Sequence, residues 1–178
     1  ESVRAIVDEM LEDGMKVLAV AYKPLKEATL SQADEHDFIL LGYLAFFDAP
    51  KESAAGAIQK LQKLHVGVRV LTGDHRDTAV SVCRRLGIVT AQTLSGRELE
   101  QLSDDEPPIK VEHTTLFAEL SPRQKVQVVQ LLRANGHTVG FLGDGMNDLP
   151  AIVEADVGIS VDTAAEAVKE GADVILLK

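Results

Sequence analysis

Apolar positions at the start of the chain recur at helical spacing. Val3, Ile6, Val7, Met10 and Leu11 fall at i, i+3, i+4, i+7 and i+8, which predicts an amphipathic helix over Ser2–Asp13 with Gly14 as its stop. Met15–Tyr22 then reads as a strand, Pro24–Asp37 as a polar loop, and Phe38–Phe46 as a second, largely buried strand. The run Asp48-Ala49-Pro50 breaks this pattern.

After it, helices and short apolar strands alternate. Ser53–Leu64 carries Ala57, Ile58, Leu61 and Leu64 on one face, and Val66–Leu71 is a strand. Asp77–Leu86 is a helix closed by Gly87, the residue suited to the left-handed turn after a helix. Leu94–Pro108 is polar and is expected at the surface, with Asp104, Asp105 and Glu106 as a solvated acidic run. Ser121-Pro122-Arg123-Gln124 predicts a strong helix start: a capping serine, a proline at the first helical position, and a glutamine three residues on. Asn135-Gly136 ends that helix, and Thr138–Leu142, Val157–Val161 and Asp173–Leu177 read as strands. This alternation predicts an α/β fold, a Rossmann-like parallel sheet with helices on both faces.

Composition narrows the function classes. The 178 residues are 46 % hydrophobic and 26 % charged, the balance of a globular chain. A formal charge of −10 argues against a nucleic-acid binder, which needs a basic face. The single cysteine, Cys83, excludes an internal disulfide and reads as a small core residue. No apolar run approaches the roughly 18 to 20 residues of a membrane-spanning helix. The chain opens on helical periodicity without a methionine and closes on a strand-like run, so it is expected to be a piece of a longer polypeptide.

Ligands of open parallel sheets bind beyond the carboxyl ends of the strands. Thr72-Gly73-Asp74 follows one strand and Gly143-Asp144-Gly145-Met146-Asn147-Asp148 follows another, while Lys125 lies in the first turn of its helix. A hydroxyl, a lysine and carboxylates on one sheet edge suit Mg²⁺-assisted phosphoryl chemistry. Mg²⁺ prefers hard oxygen ligands, and a lysine is a compact cation for phosphate charge. Each part has an ordinary structural reading as well. Thr72-Gly73-Asp74 is also a common turn, Lys125 a solvated helix start expected at the exposed edge, and Asp148 a helix cap. The combination in order points to a site. The five histidines show no metal-ligand spacing and are assigned to surface or turn positions. Ser160 has no adjacent histidine, so a serine nucleophile has little support.

The sequence resembles the catalytic region of P-type ATPases, ion pumps of the haloacid dehalogenase superfamily. The matching segments are Leu71–His75, Phe117–Pro122 with Lys125, Gly143–Asp148, Pro150–Ile152 and Ala155–Ile159. The stretches Ala155–Asp162 and Ala172–Lys178 are most similar to the magnesium-transporting branch, with calcium and proton pumps near it. Asp48-Ala49-Pro50-Lys51 is similar to the family's Asp-Pro-Pro-Arg hinge but departs from it at Ala49 and Lys51.

The resemblance implies that residues 1–46 are the closing part of a nucleotide-binding domain and residues 47–178 a phosphorylation domain lacking its first strand. It implies that Thr72 and Gly73 contact the transferred phosphoryl group and that Asp74 holds nucleotide or hinge. By the same likeness Lys125 stabilises phosphate charge, Asp144 ligates Mg²⁺, and Asn147 and Asp148 orient the site, Asp148 also near the metal. ATP and Mg²⁺ are the implied ligands, and the implied setting is the cytoplasmic side of a pump in the plasma (inner) membrane. The family's phosphorylated Asp-Lys-Thr-Gly does not occur in the sequence. The expectation is therefore a pump fragment that is no ATPase by itself, completed by a first strand and membrane helices of its parent. A free-standing phosphatase and a non-enzymatic phosphate or nucleotide sensor are the competing readings.

Overall fold

Gly14 ends the first helix, α1 (Val3–Glu12), by adopting φ +81°, a conformation that only glycine takes without strain. The computed structural model describes residues 3–24, 35–46, 51–102 and 107–177; most of the expected loop Pro24–Asp37, all of the hinge-like segment but Lys51, and the acidic run Asp104–Glu106 lie outside them. Beyond Gly14, β1 (Lys16–Tyr22) pairs antiparallel with β2 (Ile39–Phe46), with a bulge at Val20/Ala21.

The expectation that the second strand is largely buried is wrong. Leu41 is 71 % exposed and Leu44 and Phe46 are exposed as well. A two-stranded sheet has two faces, and among the described residues α1 is the helix that packs extensively beside it.

The remainder alternates as the hydrophobic pattern predicts. It runs α2 (Glu52–Lys63), β3 (Val70–Leu71), α3 (Arg76–Arg85), β4 (Thr93–Ser95), α4 (Gly96–Glu100), α5 (Pro107–His113), β5 (Leu116–Ala118) and α6 (Pro122–Ala134). It continues as β6 (Gly140–Leu142), α7 (Leu149–Glu154), β7 (Val157–Val161), α8 (Glu166–Glu170) and β8 (Val174–Leu176). The strands form two parallel sheets, ordered β3-β5-β4 and β6-β7-β8. Val66–Leu71 and Thr138–Leu142 shrink to the short β3 and β6 because each finds a partner on one side only among the described residues.

The polar stretch Leu94–Pro108 is not simply surface. It contains β4, the capped helix α4 and the start of α5, and buries Leu94, Ser95 and Leu99. Two well-placed leucines anchor a segment whose polar composition conceals them.

Helices cover both faces of the first sheet. Phe117 on β5 points into a core with Leu94, Leu99, Val111, Leu120, Val128 and Leu132. Its neighbours Leu116 and Ala118 alternate to the other face, against Ala79, Cys83 and Ile88. Cys83 is fully buried, and that burial raises its thiol pKa. A third core joins Val129, Phe141, Ala151, Ile152 and Val168. Leu71 on β3 and Val139 beside β6 pack against both the first core and the third, so the two sheets share a seam. Among the described residues no helix is long and apolar enough to cross a membrane.

Candidate functional site

The site is built at the carboxyl ends of β3 and β6. β3 is extended by backbone bonds from Thr72 N to Phe117 O (2.9 Å) and from Leu120 N to Thr72 O (3.0 Å), which hold the Thr72-Gly73-Asp74 turn against the end of β5. Within the turn the Asp74 amide donates to Thr72 Oγ1 at 3.0 Å, so the hydroxyl keeps its own proton for another acceptor. Gly73 is exposed. The Asp74 carboxylate is directed toward Lys16 Nζ at 3.2 Å, at the start of β1. That lysine carries no motif of its own, and the packing of α1 on α3, with β1 held against α1, brings it there.

Glu119 separates β5 from α6 with φ +56°, unusual for a residue with a side chain, and its amide bonds the Asp74 carbonyl at 3.0 Å. Its carboxylate lies 3.4 Å from His75. The α6 start is as the sequence predicts. Ser121 accepts from Gln124 N, and the Gln124 side chain accepts from Ser121 N, a complete capping box. Gln124 also donates to Gly96 O at 2.9 Å and to Glu100 at 2.8 Å, which fastens the head of α6 to α4.

One residue further, Lys125 departs from its expected place at an exposed edge. It is 4 % exposed, and its ammonium donates to Asp148 Oδ1 at 2.6 Å. The amphipathic turn of α6 places Lys125 between Gln124 and Val128, all inward, so only a carboxylate can make the position tolerable. The same contact answers the capping alternative for Asp148: it occupies the N-cap of α7, yet its side chain makes no cap bond and reaches Lys125 instead.

The loop from Gly143 to Asp148 is wound tightly. A Cβ on Gly143 would stand 2.6 Å from the Asp148 Cβ, and one on Gly145 would collide with the Asn147 side chain. Gly143 therefore has no room for a side chain, whereas at position 145 the exposed tip of Asn147 can swing aside. Asp148 N bonds Gly145 O at 2.9 Å and closes the turn. Asp144 and Asn147 stand exposed, and no hydrogen bond or ion pair engages either side chain among the described residues.

The structure thus brings Lys125 and Asp148 into direct contact, sets Thr72 and Gly73 beside the strand that leads into α6, and turns the Asp74 carboxylate toward Lys16. Among the described residues no group of three histidines, cysteines or carboxylates forms a metal cage. One free carboxylate on a glycine-flanked loop, beside a neutralised pair, fits a cation whose other ligands are water and phosphate. A shallow cavity of about 390 Å³, lined by Pro108, Ile109, Glu112, His113, Asn135 and His137, lies at the other end of α6 and takes no part in this arrangement.

Residues 4–156 match the haloacid dehalogenase-like hydrolases. Over 178 residues, 99 % of this chain, the sequence is 44 % identical to a magnesium-transporting P-type ATPase of Escherichia coli K12. It is 45 % identical over 182 residues to a magnesium-transporting P-type ATPase of Salmonella typhimurium LT2, and 32 % identical over 173 residues to a calcium-transporting ATPase of Listeria monocytogenes. The chain spans about a fifth of the length of each of these relatives (20 %). The chain belongs to the haloacid dehalogenase-like hydrolase family and, within it, is similar over nearly its whole length to P-type ATPases.

Proposed function

We propose that this chain is a catalytic segment of an ATP-driven cation pump, working through an aspartyl phosphate, and that the cation is magnesium. The reading is supported by the seam between the sheets. β3 and β6 each carry a site motif at the carboxyl end, each pairs on one side only among the described residues, and Leu71 and Val139 pack across both cores. A parallel strand between them, supplied by the rest of the parent polypeptide, would pair both edges and deliver a nucleophilic aspartate between Thr72 and Asp144. The relatives, five times longer and named as transporters, support the same view. Residues 1–46 then belong to a nucleotide-binding domain, and residues 47–178 to a phosphorylation domain short of its first strand.

In this reading Thr72 Oγ1 and the Gly73 amide donate to the transferred phosphoryl group, and Lys125 lowers the cost of its charge. Bound Mg²⁺ would neutralise phosphate oxygens. Asp144 would hold it, with Asp148 at its flank and Asn147 orienting the loop. Asp74, tied to Lys16, holds the nucleotide-binding part over the site. The membrane helices of the parent carry transport, and this segment stays on the cytoplasmic side.

The test compares this chain with the polypeptide extended through its native upstream coding sequence. Each is mixed with labelled ATP and Mg²⁺, quenched in acid, and treated with hydroxylamine. Hydroxylamine-sensitive label on the longer form alone is the expected result. Label on neither form would refute the pump reading, and label on the short chain would refute its lack of a nucleophile.

A further inference from the structure

Ser160 is fully buried on the central strand of the second sheet, and it takes no part in the chemistry described so far. Its hydroxyl donates to the Gly143 carbonyl at 3.0 Å. That carbonyl sits where the β6–β7 ladder runs out: Leu142 opposite Ile159 is the last registered pair, and Gly143 N still bonds Ile159 O at 3.1 Å. The next ladder partner would be a backbone amide, but the chain turns away into the Asp144 loop. The side chain of Ser160 supplies the donor that the backbone no longer can. Without it, a carbonyl at the root of the loop would face a buried hydroxyl position with nothing to accept.

The surroundings make this a fixed seat. Gly158, two residues earlier and on the same face of β7, admits no side chain, because a Cβ there would stand 2.6 Å from Ile152 O. Glycine and serine thus let α7 and the loop ahead of it press directly on the strand. From Gly143 the chain has only one residue to travel to Asp144, so holding the Gly143 peptide plane limits where the Asp144 carboxylate can swing.

We infer that Ser160 is a positioning residue for the cation-binding loop, setting the Asp144 carboxylate for Mg²⁺ through the Gly143 carbonyl. The inference rests on the reading of Asp144 as a Mg²⁺ ligand. It goes beyond that reading by assigning a role to a side chain that touches neither metal nor phosphate.

The test is a graded series, Ser160→Cys and Ser160→Ala, in which volume is nearly kept while the donor weakens and then vanishes. Mg²⁺ is titrated into the 178-residue chain and followed at the backbone amide resonances of Gly143 and Gly145, with a thermal melt for each variant. The half-saturating Mg²⁺ concentration should rise through the series, by about 3- to 10-fold for Ser160→Ala, the range set by loss of one hydrogen bond. The melting midpoints should fall in the same order, because the Gly143 carbonyl loses its donor, and the Mg²⁺ response is the readout that a merely structural role would leave unmoved. Equal Mg²⁺ response across the series, a fall in midpoint with unchanged Mg²⁺ affinity, or no response at Gly143 and Gly145 in the wild type would each overturn the inference. Phosphoenzyme formed by the intact parent, alongside an unchanged Mg²⁺ response in Ser160→Ala, would overturn it while the pump reading stood. A graded Mg²⁺ response in a chain whose parent forms no phosphoenzyme would do the reverse.

Discussion

Lys125 Nζ and Asp148 Oδ1 lie 2.6 Å apart with side chains 5 % and 14 % exposed, one on the first turn of α6 and the other at the head of α7. The pair joins the helix that covers the first sheet to the loop that leaves the second. A charge this deeply buried is tolerated only with its counter-charge in place, so chemistry and packing are coupled here.

Lys125→Ala is therefore expected to destabilise the fold by about 3 kcal/mol, the lower end for breaking a buried pair, because Asp148 keeps some contact with water. Urea denaturation of the wild type and the variant measures it. A Lys125→Ala, Asp148→Ala double variant should recover part of the loss, since no lone charge then remains. Wild-type stability in Lys125→Ala would show that the pair is not closed in solution.

Asp144→Ala has the opposite profile. The side chain is exposed and unengaged among the described residues, so stability should change by no more than about 0.5 kcal/mol. Phosphoenzyme formation by the intact parent should fall on the order of a hundredfold or more, as when an electrostatic stabiliser is removed. Normal labelling in that variant would remove Asp144 from the site.

Glu98 offers a pH test away from the chemistry. Its carboxylate accepts from the Ser95 amide at 2.7 Å, which above all holds its pKa below the usual glutamate value, with help from the Ser95 hydroxyl and Arg76. A lowered folded pKa stabilises above the unfolded value, about 4.3, and that stabilisation is lost as pH falls through the folded pKa. The melting difference between wild type and Glu98→Gln should stay level from neutral pH to about pH 5 and close in more acid solution. A gap that widened with acid would contradict the assignment.

Gly158→Ala tests how closely α7 sits on β7. The added Cβ would meet the Ile152 carbonyl at 2.6 Å and its Cγ2 at 2.7 Å, and a backbone carbonyl cannot move aside as a side-chain tip can. A loss of about 1 to 3 kcal/mol is expected in chemical denaturation, the scale of overpacking a dense core. A neutral effect would mean that α7 yields freely.

Local chemistry was enough to read much of this molecule. Ser121, Pro122 and Gln124 specify the start of α6 through contacts within one turn, and the capping box formed as its spacing requires. Val157–Val161 is a strand at the predicted residues, because it lies between two partners and its whole length is paired or flanked. The Thr72, Lys125 and Asp144 segments stood out because glycine, hydroxyl and carboxylate positions recur just past apolar runs. Burial was another matter: the apolar composition of β2 is that of a core strand, yet Leu41 and Leu44 are exposed because no second layer covers them among the described residues.

The sequence by itself determined the α/β alternation, the helix caps and the order of the motifs, since these depend on neighbours within a few residues along the chain. Tertiary structure alone decided that Lys125 is buried against Asp148, that Lys16 meets Asp74, and that Ser160 reaches the Gly143 carbonyl. These contacts join residues 23, 58 and 17 positions apart. No local propensity encodes them, because each exists only once the sheets and helices that carry its two ends have packed.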